Sequence, residues 1–223
     1  MSLRTAMQKK YPFRVWVEDP SRAALTDEQL WTSCENIHML FETLGGNNTF
    51  PPETLYAVAL DALVPVLPLW ESWAQTYAPA QTALPREIVC KMGTEDEIPY
   101  EMCRPLNKIL YPPGWKSPGL PEKPLTPEHI ARVTAEFVLR AVCEMVIVRP
   151  ENTSVRAKNV QRSFYAVSAL KSVDYALCLN AREERLRHDD DDICFPVIPH
   201  LPADFLRDRV PFAQVQEHFS NCA

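Results

Sequence analysis

Apolar residues recur along this chain mostly at steps of three and four, the spacing of one helical face. Leu30, Cys34, Ile37, Phe41 and Leu44 make one such stripe, and the spacing predicts a helix over 27–44. Thr26 with Gln29 supplies a capping box, and Asp27 and Glu28 suit the positive end of the helix dipole. Gly45-Gly46 is the expected stop. A second helix starts near Pro52, with Leu55, Val58, Ala59, Ala62 and Leu63 on its inner face. Pro65 and Pro68 should kink or interrupt it, Leu69, Trp70, Trp73 and Tyr77 resume the helical spacing, and Pro79 closes the unit.

The second half of the chain repeats the pattern at greater length. Thr126-Pro127-Glu128 opens a helix over about 127–148. Its Arg132, Glu136, Arg140 and Glu144 stand four apart with alternating sign, one thin self-neutralising stripe. Ile130, Val133, Phe137, Val138, Ala141, Val142, Met145 and Val146 fill the rest, so this helix should be packed on most sides. A further helix is expected over about 154–187, with Phe164, Val167, Leu170, Val173 and Leu177 as its core face. The short Arg149-Pro150-Glu151 turn should pack the two antiparallel. Weaker helical signals cover 85–92, 101–110, 203–209 and 212–219. Phe13, Val15 and Val17 alternate, which reads as a short extended segment over 11–17, and 193–201 reads the same way. The expectation is an all-α, bundle-like single domain over 1–223 with a central antiparallel helix hairpin. The proline-rich stretch 111–127 is a loop or linker that divides two helical halves.

Composition narrows the function classes. The chain has 223 residues, 21 of them Pro and only 5 Gly, so phosphate-cradling glycine loops have little to be built from. No P-loop, GxGxxG, HExxH, GxSxG or EF-hand pattern occurs. Net charge is −6, and residues 1–111 hold 9 Lys+Arg against 14 Asp+Glu. Broad nucleic-acid binding is disfavoured, and a basic protein surface is the better partner. Seven cysteines without a CxxC, and no apolar signal core over residues 1–20, point to a reducing, cytoplasmic setting. The longest apolar run, Leu55–Trp70, is broken by Asp61, Pro65 and Pro68, so no membrane span is expected.

Five constellations carry candidate chemistry. His188 with Asp189, Asp190, Asp191 and Asp192 is either a divalent-cation site or a solvated acidic loop. The loop is favoured, because consecutive side chains diverge. Cys34 and His38 stand four apart on the first helix, as a nucleophile and base or two zinc ligands would. Cys34 lies on the apolar stripe, however, and a buried thiol is the simpler account. Trp70, Trp73 and Tyr77 form an aromatic stripe that suits core packing or a recognition anchor. Arg156, Lys158 and Arg162 make a basic helix start, and Glu95, Asp96, Glu97 and Glu101 a second acidic surface.

No catalytic residue, metal site or cofactor is assigned. The expected function is a protein-binding or inhibitory module, of the immunity or antitoxin kind, that neutralises a basic partner through an acidic surface. Its expected contact residues are Glu95, Asp96, Glu97, Glu101, Asp189, Asp190, Asp191, Asp192, Trp70 and Trp73. Two alternatives stand beside it. One is a metal- or thiol-dependent hydrolase-like enzyme without a short motif; the other is a self-assembling structural or accessory subunit of the viral or phage-encoded kind.

Overall fold

In a computed structural model, residues 1–45, 50–94, 100–111, 126–147, 155–181 and 200–221 are described. Among them the fold is all-α, and the ladder pairing is a lone bridge between Asn36 and Pro202. The chain divides into two compact units, one of Met1–Val58, Pro150–Val167 and Leu201–Ala223, the other of Ala59–Arg149 and Ser168–His200. Two of the divisions fall inside helices, α5 (Pro52–Leu63) and α10 (Val155–Ala181).

The first unit begins with α1 (Leu3–Gln8) and α2 (Tyr11–Val17), which pack on each other. Segment 11–17 is therefore a helix and not extended. Its buried residues, Phe13 and Val17, are four apart, while Val15 is 61% exposed. Phe13 and Val17 would share a strand face as well as a helical one, but Val15, two residues from each, falls on the opposite, exposed side of the helix, and Arg14 and Glu18 pair at 3.0 Å at helical spacing. The other expected extended segment, 193–199, lies outside the described residues.

The helix expected over 27–44 is two helices, α3 (Asp27–Ser33) and α4 (Ile37–Gly45). Its start is as expected: Gln29 N–H donates to Thr26 Oγ1 at 3.2 Å, and Thr26 N–H to Gln29 Oε1 at 2.8 Å. The break has its own chemistry. Cys34 takes extended backbone angles after α3. Asn36 then restarts the chain, its side-chain oxygen accepting from Met39 N–H at 3.1 Å. Arg207, on α11 (Ala203–Arg207), donates to the carbonyl oxygens of Trp31 and Cys34, groups that a helix end leaves without partners. α4 ends at Gly45, at the expected stop, and an added Cβ there would come within 2.7 Å of Val167 Cγ2 on α10, so Gly45 also serves a close helix approach. The unit closes with α12 (Phe212–Asn221), which packs on α1.

The second unit is built around α9 (Pro127–Ile147). The helices α6 (Leu67–Tyr77), α7 (Leu84–Thr94) and α8 (Arg104–Leu110) all pack against it. Ala135, Val138, Leu139, Ala141, Val142 and Met145 are sealed, as a thin polar stripe requires. Thr126 caps it, accepting from His129 N–H at 3.2 Å. The prolines at 65 and 68 act as expected. A 3-10 turn at Val64–Val66 separates α5 from α6. Together Pro52–Tyr77 has the length and mean hydropathy of a membrane span, but 44% of its apolar window is buried within the protein and the turn interrupts it.

On α10 the expected core face shifts. Leu170 and Val173 are sealed and joined by Ala166, Ala169 and Ala176, but Phe164 is 65% exposed. In the second unit α10 meets α9 through Phe137 and Tyr175, edge to face at 5.4 Å, and through Glu144 with Ser168 and Ser172. Residue numbers run in opposite order along the two helices at these contacts. The turn expected at 149–151, and residues 182–187, lie outside the described residues.

Candidate functional site

The aromatic positions of α6 grade from core to surface. Trp70 is fully buried, and its indole N–H donates to the Thr82 carbonyl at 3.1 Å. It is a core residue and not a surface contact. Trp73, one turn on, is half-buried, with its ring 5.5 Å from that of Trp70. Tyr77 follows, stacked on Trp73 at 5.1 Å with 22° between the planes, and is 53% exposed. Steps of three and four on a helix bring the three rings into line. The result is a ladder rooted in the core with its last ring in solvent.

Two ion-bearing side chains fix its surroundings. Tyr77 Oη donates to Glu128 Oε1 at 2.9 Å, tying the end of α6 to the first turn of α9. That bond holds the Tyr77 hydroxyl above its usual range, because ionising it would set a second negative charge against the carboxylate. One turn into α6, Glu71 is held bidentately by Arg86 of α7, at 2.6 and 3.0 Å. Glu71 is thus already neutralised, and Glu128 is the carboxylate that stands beside the exposed ring.

The remaining expected contact residues are dispersed. Glu101 is exposed at the start of the 3-10 turn before α8. Glu95, Asp96, Glu97 and Asp189–Asp192 lie outside the described residues, as do the side chains of Arg156, Lys158 and Arg162.

The thiol candidate does not have the geometry of a nucleophile. Cys34 and His38 are not on one helix, since the chain leaves α3 at Cys34 and re-enters α4 at Ile37. Cys34 is 2% exposed, and burial pushes its thiol up to about 11, away from the thiolate that catalysis needs. Among the described residues, no three His, Cys, Asp or Glu side chains converge as metal ligands would. A pocket of about 320 Å³ in the first unit is lined by Leu3, Asp27, Phe212, Gln216 and Phe219. Its carboxylate, Asp27, already accepts from the N–H groups of Leu3 and Arg4 at 2.8 and 3.2 Å, so it serves as a cap for α1.

One half-buried polar group had no distinct sign in the sequence. Glu144 belongs by spacing to the surface stripe of α9, but it turns inward and accepts from Ser168 Oγ at 2.7 Å and Ser172 Oγ at 3.2 Å. Burial raises its carboxyl above the usual range, against the opposing pull of the two hydroxyls and Arg140. Its partners are 24 and 28 residues away, beyond any local pattern. Glu128 was legible only as a favourable first-turn acid, because Tyr77 is 51 residues off.

No family model matches this chain, no curated protein matches it, and no solved structure matches it.

Proposed function

We propose that this chain is a protein-binding or inhibitory module, of the immunity or antitoxin kind, whose contact surface centres on the exposed end of the α6 ladder. The observation that carries the reading is the Trp73–Tyr77 stack, half in solvent and rooted on the buried Trp70. Rings of this kind dominate the energetics of protein interfaces, and a pre-ordered ring loses little rotamer freedom on binding. Net charge of −6, with Glu128 and Glu101 exposed on the same unit, favours a basic partner. A thiol enzyme built on Cys34 is the weaker reading, given its burial.

Cross-linking and affinity capture from the native source test this, with wild type beside Tyr77→Ser and Trp73→Ala. Wild type should retain a stoichiometric basic partner that salt weakens, and both variants should lose it. Capture that ignores both substitutions would discard the ladder as the contact surface. Recovery of only this chain, as a Tyr77-dependent oligomer in light scattering, would replace the reading with self-assembly.

A further inference from the structure

The ladder's exposed ring has neighbours that select a particular kind of contact. Among the described residues, three other aromatic rings carry an arginine over the face. Arg22 stands 4.6 Å from the Trp16 ring centre, Arg209 3.7 Å from Phe205, and Arg140 5.6 Å from Phe137. Among the described residues, none lies over Trp73 or Tyr77. Tyr77 instead offers a 53% exposed ring whose hydroxyl edge is held by a carboxylate. A ring face attracts a cation through its quadrupole, and a carboxylate at the ring's edge adds a second, charged anchor.

We infer that the α6 ladder receives an arginine side chain from a segment of the partner protein, stacked on the Tyr77 ring with its guanidinium against Glu128. This rests on the protein-binding reading above and names the chemistry of that same surface. Arginine fits better than lysine for two reasons. Its planar guanidinium stacks on a ring, and its fork of N–H donors can reach the carboxylate oxygen that Tyr77 leaves open. The hydroxyl bond to Glu128 keeps both anchors in place before the partner arrives, so the geometry does not have to be assembled on binding. The arginine paired with Glu71 cannot serve this role, since Arg86 is already committed there in both of its bonds.

The test is a selection of short random displayed peptides on the full chain, with counter-selection on its Tyr77→Ala variant. Far-UV circular dichroism first checks that the variant keeps the wild-type spectrum. Enriched peptides should share an arginine at a common position. Synthetic copies should lose affinity about tenfold on Tyr77→Ala, and about threefold on Glu128→Gln, as expected for one exposed charge contact. Exchanging the arginine for citrulline, which keeps the shape and removes the charge, should abolish the Glu128 dependence. Tyr77-dependent peptides that lack a cation, or that bind citrulline equally well, would overturn the arginine inference and leave the protein-binding surface standing. Failure to recover any Tyr77-dependent peptide would overturn both.

Discussion

Two stretches of this protein carry the same kind of apolar stripe and fold differently. Residues 27–45 and 127–147 each open on a threonine cap and repeat apolar residues at helical steps, yet the first breaks into α3 and α4 and the second runs unbroken as α9. The difference lies in what meets the backbone. In the first, Asn36 offers a new cap and Arg207 takes the carbonyls of Trp31 and Cys34. The carbonyls that a helix break exposes are thereby satisfied inside the protein. In the second, the capping-type residue between Ile130 and Met145 is Thr134, which stays buried within the unbroken helix, and three helices pack along the run. An apolar stripe fixes which face is buried, while continuity depends on where the polar backbone groups find partners.

The largest expected effect is therefore at Arg207. Its side chain is 18% exposed, and Arg207→Ala leaves two carbonyls at a helix end without their donor. The expected loss is about 2–4 kcal/mol of unfolding free energy. Urea denaturation followed by circular dichroism measures it. Arg207→Lys should recover only part, because one ammonium lacks the guanidinium's spread of donors. A neutral result for Arg207→Ala would mean that the break is set locally and not by Arg207 of α11. Asn36→Ala comes next, with an expected loss of about 1 kcal/mol from the missing cap. If Asn36→Ala instead raised both stability and helical signal, the two-helix form would be only marginally preferred over one continuous helix.

The capping box at Thr26 and Gln29, the interruption at Pro65 and Pro68, and the long α9 all follow from neighbours in the chain, and all are present. The break at Cys34 was not legible, because its decisive partner, Arg207, is 173 residues away. The short segment 11–17 failed for another reason: Phe13 and Val17 satisfy both periods, and the exposure of Val15 separates them. The aromatic stripe of α6 was visible as a stripe. Which of its rings lies in the core depends on Thr82 and on the helices around it, so spacing alone left Trp70 and Tyr77 equivalent.

The smallest effect, and the one whose sign is least obvious, lies on α9 itself. Glu144 looks like a fourth member of its exposed ion stripe, but it is turned toward Ser168 and Ser172, and burial holds its carboxyl above the ordinary value of 4.5. The native state thus keeps this proton at pH values where the unfolded chain has released it. Stability from this group is fully present below about 4.5 and is lost as pH rises through the raised native value. Glu144→Gln keeps the shape and an oxygen for the serine hydroxyls and removes the charge that burial penalises. The variant should therefore unfold at a higher temperature than wild type at pH 7.5, and the two should converge near pH 4. Paired thermal melts at the two pH values measure this difference directly. A variant less stable than wild type at pH 7.5 would show that Glu144 is held as a carboxylate after all, with Arg140 and the two serines outweighing burial. In that case α9 would carry the same alternating stripe inside that its sequence displays outside.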